Sequence, residues 1–150
     1  MARTTSKKGS NAKHDFTIKA KGTSTRILEI SNDIVRLEST DKGVVTGKFY
    51  SGTHWDTVEA TMMANGTATL TVKYMHMTNK GESIVGTGTA TQETPNLKGI
   101  AKVKGEGTTW TSAPRLSRIN GARWVVEGEA DLLKDTVNIA GKFETMNQSV

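Results

Sequence analysis

WDTVEATMMANGTATLTVKYMHMTNKGESIVGTGTA (residues 55–90) is the stretch whose reading decides the fold. Thr, Val and other strand-favouring residues alternate with polar ones, and two turn signals, Asn65-Gly66 and Asn79-Lys80-Gly81, divide it into three segments of strand length. No window holds a helical period. Asn65-Gly66 reads as a two-residue type I′ hairpin loop. That loop predicts Thr61 opposite Leu70, Glu59 opposite Val72, Thr57 opposite Tyr74 and Trp55 opposite His76. Asn79-Lys80-Gly81 reads as a three-residue turn with Gly in the left-handed bulge position. It predicts His76 opposite Ile84, Tyr74 opposite Gly86, Val72 opposite Gly88 and Leu70 opposite Ala90. One face then carries Trp55, Glu59, Leu70, Val72, Tyr74, His76, Ile84 and Ala90.

The same pattern extends in both directions. Upstream, a bulged turn at Tyr50-Ser51-Gly52 puts Val45, Gly47 and Phe49 on the shared face, and a further turn at Asp41-Lys42-Gly43 adds Val35 and Leu37. Downstream, a turn at Lys134-Asp135 pairs Leu132 with Val137, Ala130 with Ile139, Gly128 with Gly141 and Val126 with Phe143. Its other face, with Glu127, Glu129, Asp131 and Lys142, reads as solvated. Asn120-Gly121 marks one more turn. Glycines 86, 88, 105, 107 and 128 fall at inward positions, where they permit the coiling of a small barrel, with Tyr74 filling the space over Gly86. Agreement among the hairpins on one interior predicts an all-β protein, an antiparallel up-and-down barrel of about eight strands.

At 150 residues the chain suits one domain with a proper core. Residues 1–13 are polar and aperiodic and are expected to form a disordered basic tail before a barrel domain at 14–146. The net charge of +5 comes largely from that tail: Arg3, Lys7, Lys8 and Lys13 have no acid among them, which leaves 16 basic against 15 acidic residues in the remainder. A near-neutral body argues against a dedicated nucleic-acid face, and four tail cations without interleaved aromatics support only weak, salt-sensitive contact. The absence of cysteine excludes disulfides, thiolate metal sites and thiol nucleophiles. No apolar run reaches the length of a membrane span or a signal peptide, so a soluble, cytoplasmic protein is the expectation.

Few motifs carry chemistry. Gly86-Thr87-Gly88 and Gly105-Glu106-Gly107 lack the helix and the Lys-Ser/Thr of a phosphate loop. His14, His54 and His76 show no metal-ligand spacing, and His54 with Asp56 reads as a solvated pair, so no metal or cofactor is expected. Asn65-Gly66-Thr67 and Asn147-Gln148-Ser149 match the glycosylation sequon by chance. The candidate site is the inward cluster Trp55, Glu59, Tyr74 and His76, joined by Trp124. Burial would raise the pKa of Glu59 and lower that of His76, poising either for acid or base work. Thr111–Gly121 is the longest stretch without alternation, and its Arg115 and Arg118 are candidates for a lid that meets an anionic ligand head.

The run GTGTATQETPNLKGIAKVKGEGTTWTS, followed by GARWVVEGEADLL, resembles the small bacterial barrels of the allene oxide cyclase-like fold, relatives of the lipocalin or calycin barrels. The likeness spans roughly residues 82–143 and rests on paired glycines and a Gly-x-Gly before a Thr/Trp-rich segment. It implies an eight-stranded barrel with a cavity for a small apolar molecule; no cyclase catalytic residue maps onto a numbered position here. Three functions follow as expectations. The first is a barrel binding a small hydrophobic or amphipathic ligand between Val72, Ile84, Val103, Trp124, Val126 and Phe143. The second is an isomerase or cyclase using Glu59 or His76. The third is a non-catalytic assembly protein, a homo-oligomer among the options, with a filled barrel.

Overall fold

The computed structural model describes residues 14–147, and the tail expectation for residues 1–13 and most of the second sequon lie outside them. Eight antiparallel strands follow one another: β1 (Phe16–Ser31), β2 (Ile34–Gly47), β3 (Gly52–Met62), β4 (Ala68–Thr78), β5 (Ser83–Gln92), β6 (Ile100–Trp110), β7 (Arg123–Asp131) and β8 (Thr136–Phe143). Each pairs with the next and β8 pairs with β1, closing an up-and-down barrel as the alternation predicted. Among the described residues no helix is long and apolar enough to cross a membrane.

Four of the turn readings are corrected, and one of them turns a whole strand over; at Tyr50-Ser51-Gly52 there is no three-residue turn, because Gly52 already pairs with Val45 and residues 48–51 form the connection. At Asn65-Gly66 the Gly66 N–H donates to Met63 O and the Met63 N–H to Thr67 O, both at 2.9 Å. The loop therefore has three residues, with Gly66 at φ +83° and Asn65 at negative φ. Asn65 Oδ1 instead accepts from the Thr67 N–H at 3.0 Å and the Thr67 hydroxyl at 2.7 Å, a local side-chain bond that fixes the bulged turn. Val58 then faces Val72, Asp56 faces Tyr74 and His54 faces His76. This one-residue slip sends His54, Asp56, Val58, Ala60 and Met62 inward and Trp55, Thr57, Glu59 and Thr61 outward.

Asp41-Lys42-Gly43 is not a turn but the middle of β2, where Gly43 lets the backbone of β1 pass close by. The β1–β2 turn lies instead at Asn32-Asp33, with Asn32 at φ +54°. In the last hairpin the loop is longer than expected and the register moves by two, so Ala130 faces Val137, Gly128 Ile139 and Val126 Gly141 with each face preserved. The turn at Asn79–Gly81 and all its β4–β5 pairs stand as read.

The two ends of the barrel are finished differently. One end is plugged by the segment after β6, whose 3-10 helix Pro114–Ile119 buries Leu116 and Ile119 beside Ala122, Phe16, Phe143 and Tyr50. At the other end β1 runs on: residues 16–21 pair with β8, but the remainder pairs with β2 alone and projects past the rim. Inside, Gly86 leaves the space taken by the Tyr74 ring, and Gly88 and Gly107 leave that of the Trp124 indole.

Candidate functional site

The interior is not filled. A cavity of about 260 Å³ runs from the flared end towards the plug, mostly between apolar side chains such as Val58, Leu70, Val72, Val126 and Ile139. Of the walls expected from sequence, Val72, Val103, Trp124, Val126 and Phe143 line it, whereas Ile84 is fully buried in the core behind it.

Polar groups gather towards the plugged end. Tyr50, in the β2–β3 connection, folds its ring inward and sets its hydroxyl 2.6 Å from His76 Nδ1. His76 Nε2 lies 2.7 Å from His54 Nδ1, and His54 Nε2 lies 2.6 Å from Asp56 Oδ2. Asp56 in turn meets Asp41 from β2. Both histidines are at least 95 % buried, at 4 % and 2 % exposure. These five side chains thus form an unbroken chain along the cavity.

Burial sets its protonation. It pushes His54 down to about 4, against a smaller opposing pull from Asp41, and pushes His76 down to about 3, assisted by His54. Both imidazoles are neutral near pH 7, so His54 and Asp56 share a hydrogen bond rather than an ion pair. Burial raises Asp41 to about 8, aided by its hydrogen bond to Asp56, and raises Asp56 as well, against the Asp41 hydrogen bond. At neutrality Asp41 therefore keeps its proton and offers it to Asp56, whose own carboxyl is held above its ordinary value. Burial also raises the Tyr50 phenol.

A neutral imidazole donates from one ring nitrogen and accepts at the other, so two arrangements satisfy the chain. In one, Tyr50 donates to His76, His76 to His54 and His54 to the Asp56 carboxylate. In the other every bond is reversed, with Asp56 donating and Tyr50 accepting. The chain is thus polar in either direction, and the second arrangement needs Asp56 to take over the proton that Asp41 holds in the first. Beside it, the Tyr74 hydroxyl bonds Thr109 Oγ1, and burial lifts Tyr74 to about 12. Trp124 Nε1 is buried and unpaired, near enough to the Tyr74 oxygen to favour its anion without closing a well-directed bond.

Of the sequence candidates, Tyr74, His76 and Trp124 line the cavity. Trp55 and Glu59 do not: Trp55 lies on the outer face under the Lys42 ammonium, 5.7 Å from its ring centroid, and Glu59 pairs with Arg36 at 2.7 Å. Arg115 and Arg118 face away from the cavity. Arg115 bonds Glu82 at 2.5 Å and Phe49 O at 3.0 Å, and Arg118 lies 5.5 Å from the Phe49 ring centroid, so the two pin the plug from outside. Asp41, Tyr50, His54 and Asp56 are the site residues that the sequence reading missed. The run Val58, Ala60, Met62 against Thr57, Glu59, Thr61 carried the signal for β3, because the more apolar set belongs inside. Among the described residues, no three His, Cys, Asp or Glu side chains converge as metal ligands.

No family profile matches the chain, and no curated protein matches it. Solved structures share its fold. A protein of unknown function from Clostridium acetobutylicum ATCC 824 is 13% identical with a TM-score of 0.73, over 87% of this chain and 95% of that one. A conserved protein of unknown function from Rhodopseudomonas palustris is 16% identical with a TM-score of 0.72, over 87% and 95%. A protein described as an enzyme from Penicillium herquei is 20% identical with a TM-score of 0.57, over 91% and 99%. At these identities the likeness is one of fold.

Proposed function

We propose that this barrel binds a small, largely apolar molecule and holds its polar end against the chain Tyr50–His76–His54–Asp56–Asp41. The observation that carries this reading is the position of that chain, beside the plug in a largely apolar cavity whose lining extends to Thr25 and Leu132 at the opposite end. A cavity of about 260 Å³ lies just below the roughly 300–1,000 Å³ of drug-sized pockets, which favours a small occupant. The resemblance to allene oxide cyclase-like barrels supports an interior site, and the open cavity speaks against a filled assembly barrel. Native mass spectrometry of protein from its own source, under gentle and denaturing conditions, tests the reading. A small molecule released only on denaturation is expected. Protein that carries none and takes up no small apolar probe overturns it.

A second reading, proton-transfer catalysis on the bound molecule, is favoured by the two-way polarity of the chain. With Glu59 outside, the acid/base role falls to His76 and its neighbours. Under this reading His76→Gln abolishes turnover of a converted substrate and leaves its affinity within about threefold. Equal loss of affinity and turnover returns the chain to a binding role.

A further inference from the structure

The charged groups of the cavity are unevenly distributed. Asp41 on β2 and Asp56 on β3 sit side by side as a cross-strand pair. Gly22, the β1 partner of Asp41, has no side chain, and the Asp135 carboxyl occupies the space that one would fill. Three carboxyls from the β8–β1–β2–β3 side of the barrel thus line one wall, with Asp131 near the mouth tied to the Leu133 and Lys134 N–H groups at 3.1 and 3.0 Å.

Nothing inside offsets them. Among the described residues no Lys or Arg pairs with Asp41, Asp56 or Asp135; Lys104 borders the cavity on β6, next to the inward Val103, and its own side chain is on the exposed parity of that strand. The groups facing the Asp41–Asp56 pair from its neighbours are His54, His76, Tyr50 and Tyr74, all neutral near pH 7. Asp56 Oδ1 is buried with no donor other than the proton of Asp41, on a side chain 9% exposed. Asp135 is exposed towards the mouth, so the enclosed carboxyls are those of Asp41 and Asp56; a buried carboxylate without a counter-charge is costly to keep, and a cation that enters the cavity relieves that cost. The rings of Tyr74, beside Asp56 on β4, and of Trp124 and Phe143, on β7 and β8, also line the cavity and offer surfaces that favour a cation.

We propose that the wall formed by Asp41, Asp56 and Asp135 selects an organic cation, a primary or secondary amine on a small apolar body, over neutral or anionic molecules of the same shape. The proposal rests on the cavity being a binding site. The amine N–H groups replace the Asp41 proton as donors to Asp56 Oδ1, while the apolar body lies against Val72, Val126 and the aromatic rings. Because the amine displaces that proton, binding near pH 7 releases protons, and affinity rises as the pH is raised towards 8.

The test compares 2-phenylethylamine, 2-phenylethanol and phenylacetate by isothermal titration calorimetry on the full chain, at pH 7 in two buffers of different ionisation enthalpy. The amine is expected to bind about tenfold or more tighter than the alcohol, with phenylacetate weakest, and to release protons. Asp56→Asn and Asp41→Asn should remove that preference. Asp135→Asn, at a turn position where Asn accepts the positive φ, should reduce it without touching the core, and covers the case in which the buried variants fail to fold. Alcohol binding as tightly as the amine, or phenylacetate binding best, overturns the cation selection and leaves the cavity reading standing. If none of the three binds, both fall.

Discussion

The two ends of this barrel are made from the same eight strands and behave as opposites. At the plugged end Leu116, Ile119 and Ala122 are almost wholly buried, and every buried ring nitrogen of the two histidines has a partner. At the flared end Ile27 and Ile30 are 62% and 64% exposed, and Leu133 is 80% exposed. Stability therefore resides at the plug, and access at the flare. A molecule entering past the overhanging β1–β2 hairpin passes the Asp131 and Asp135 carboxyls at the rim, then apolar walls, and meets the histidines last.

The sharpest way to break this contrast is to truncate one side chain at each end. Ile119→Ala should cost about 2–5 kcal/mol in chemical denaturation, because a fully buried branched side chain leaves a void. Ile30→Ala should change stability by less than about 0.5 kcal/mol. Comparable losses at both ends would mean that the flare is packed in solution.

Next in size is the glycine floor beneath Trp124. A Cβ at position 107 overlaps the indole, so Gly107→Ala should cost about 1–3 kcal/mol and narrow the cavity, seen as a shift in tryptophan fluorescence together with a lower melting temperature.

The pH dependence sharpens the contrast further, since it belongs to the polar chain alone. Asp41 is raised in the fold to about 8, so its contribution is present below that pH and is lost as the pH climbs from the unfolded value towards and through 8. His54 and His76 are lowered to about 4 and about 3, so an unfolded chain takes up their protons first and stability falls as the pH drops below about 6.5. Asp56, also raised, adds to Asp41 just above the ordinary carboxylate range, and nearer pH 6.5 the two histidines outweigh Asp41. The melting temperature should therefore peak near pH 6.5, and a His54→Asn, His76→Asn double variant should lose the acid limb. A flat profile in the parent protein would place these groups in water.

The smallest effect is expected at Arg115. Its ion pair with Glu82 is partly exposed, so Arg115→Ala should cost no more than about 1 kcal/mol, read by the same denaturation.

The strand pattern was legible because alternation and turn residues are local. The Asn79–Gly81 turn set the β4–β5 register correctly, and with it the inward position of Tyr74 and His76. The site was only half legible, because it depends on which face of β3 turns inward, and that is decided by one residue in one loop. Asn65 satisfies itself through Thr67 rather than adopting the positive φ of a type I′ turn, and this preference of a side chain for its neighbour is not visible in an Asn-Gly pair. Asp41 was hidden for a related reason: Asp-Lys-Gly carries the composition of a turn, yet Gly43 serves a close approach of β1 within a continuous strand. The apolar run Val58, Ala60, Met62, weighed above the turn type, would have brought His54 and Asp56 inside.

The central claim is that the chain Tyr50–His76–His54–Asp56 is dry, that both of its imidazoles are neutral, and that it is turned towards a binding cavity. Imidazole nitrogen NMR across a pH titration, with His54→Asn and His76→Asn to assign the signals, tests it most directly. The account predicts that both rings stay neutral well below pH 6, each with one protonated and one bare nitrogen, and that both signals move when 2-phenylethylamine or 2-phenylethanol is added. Rings that titrate near the ordinary value of about 6.5 and ignore both probes would contradict it.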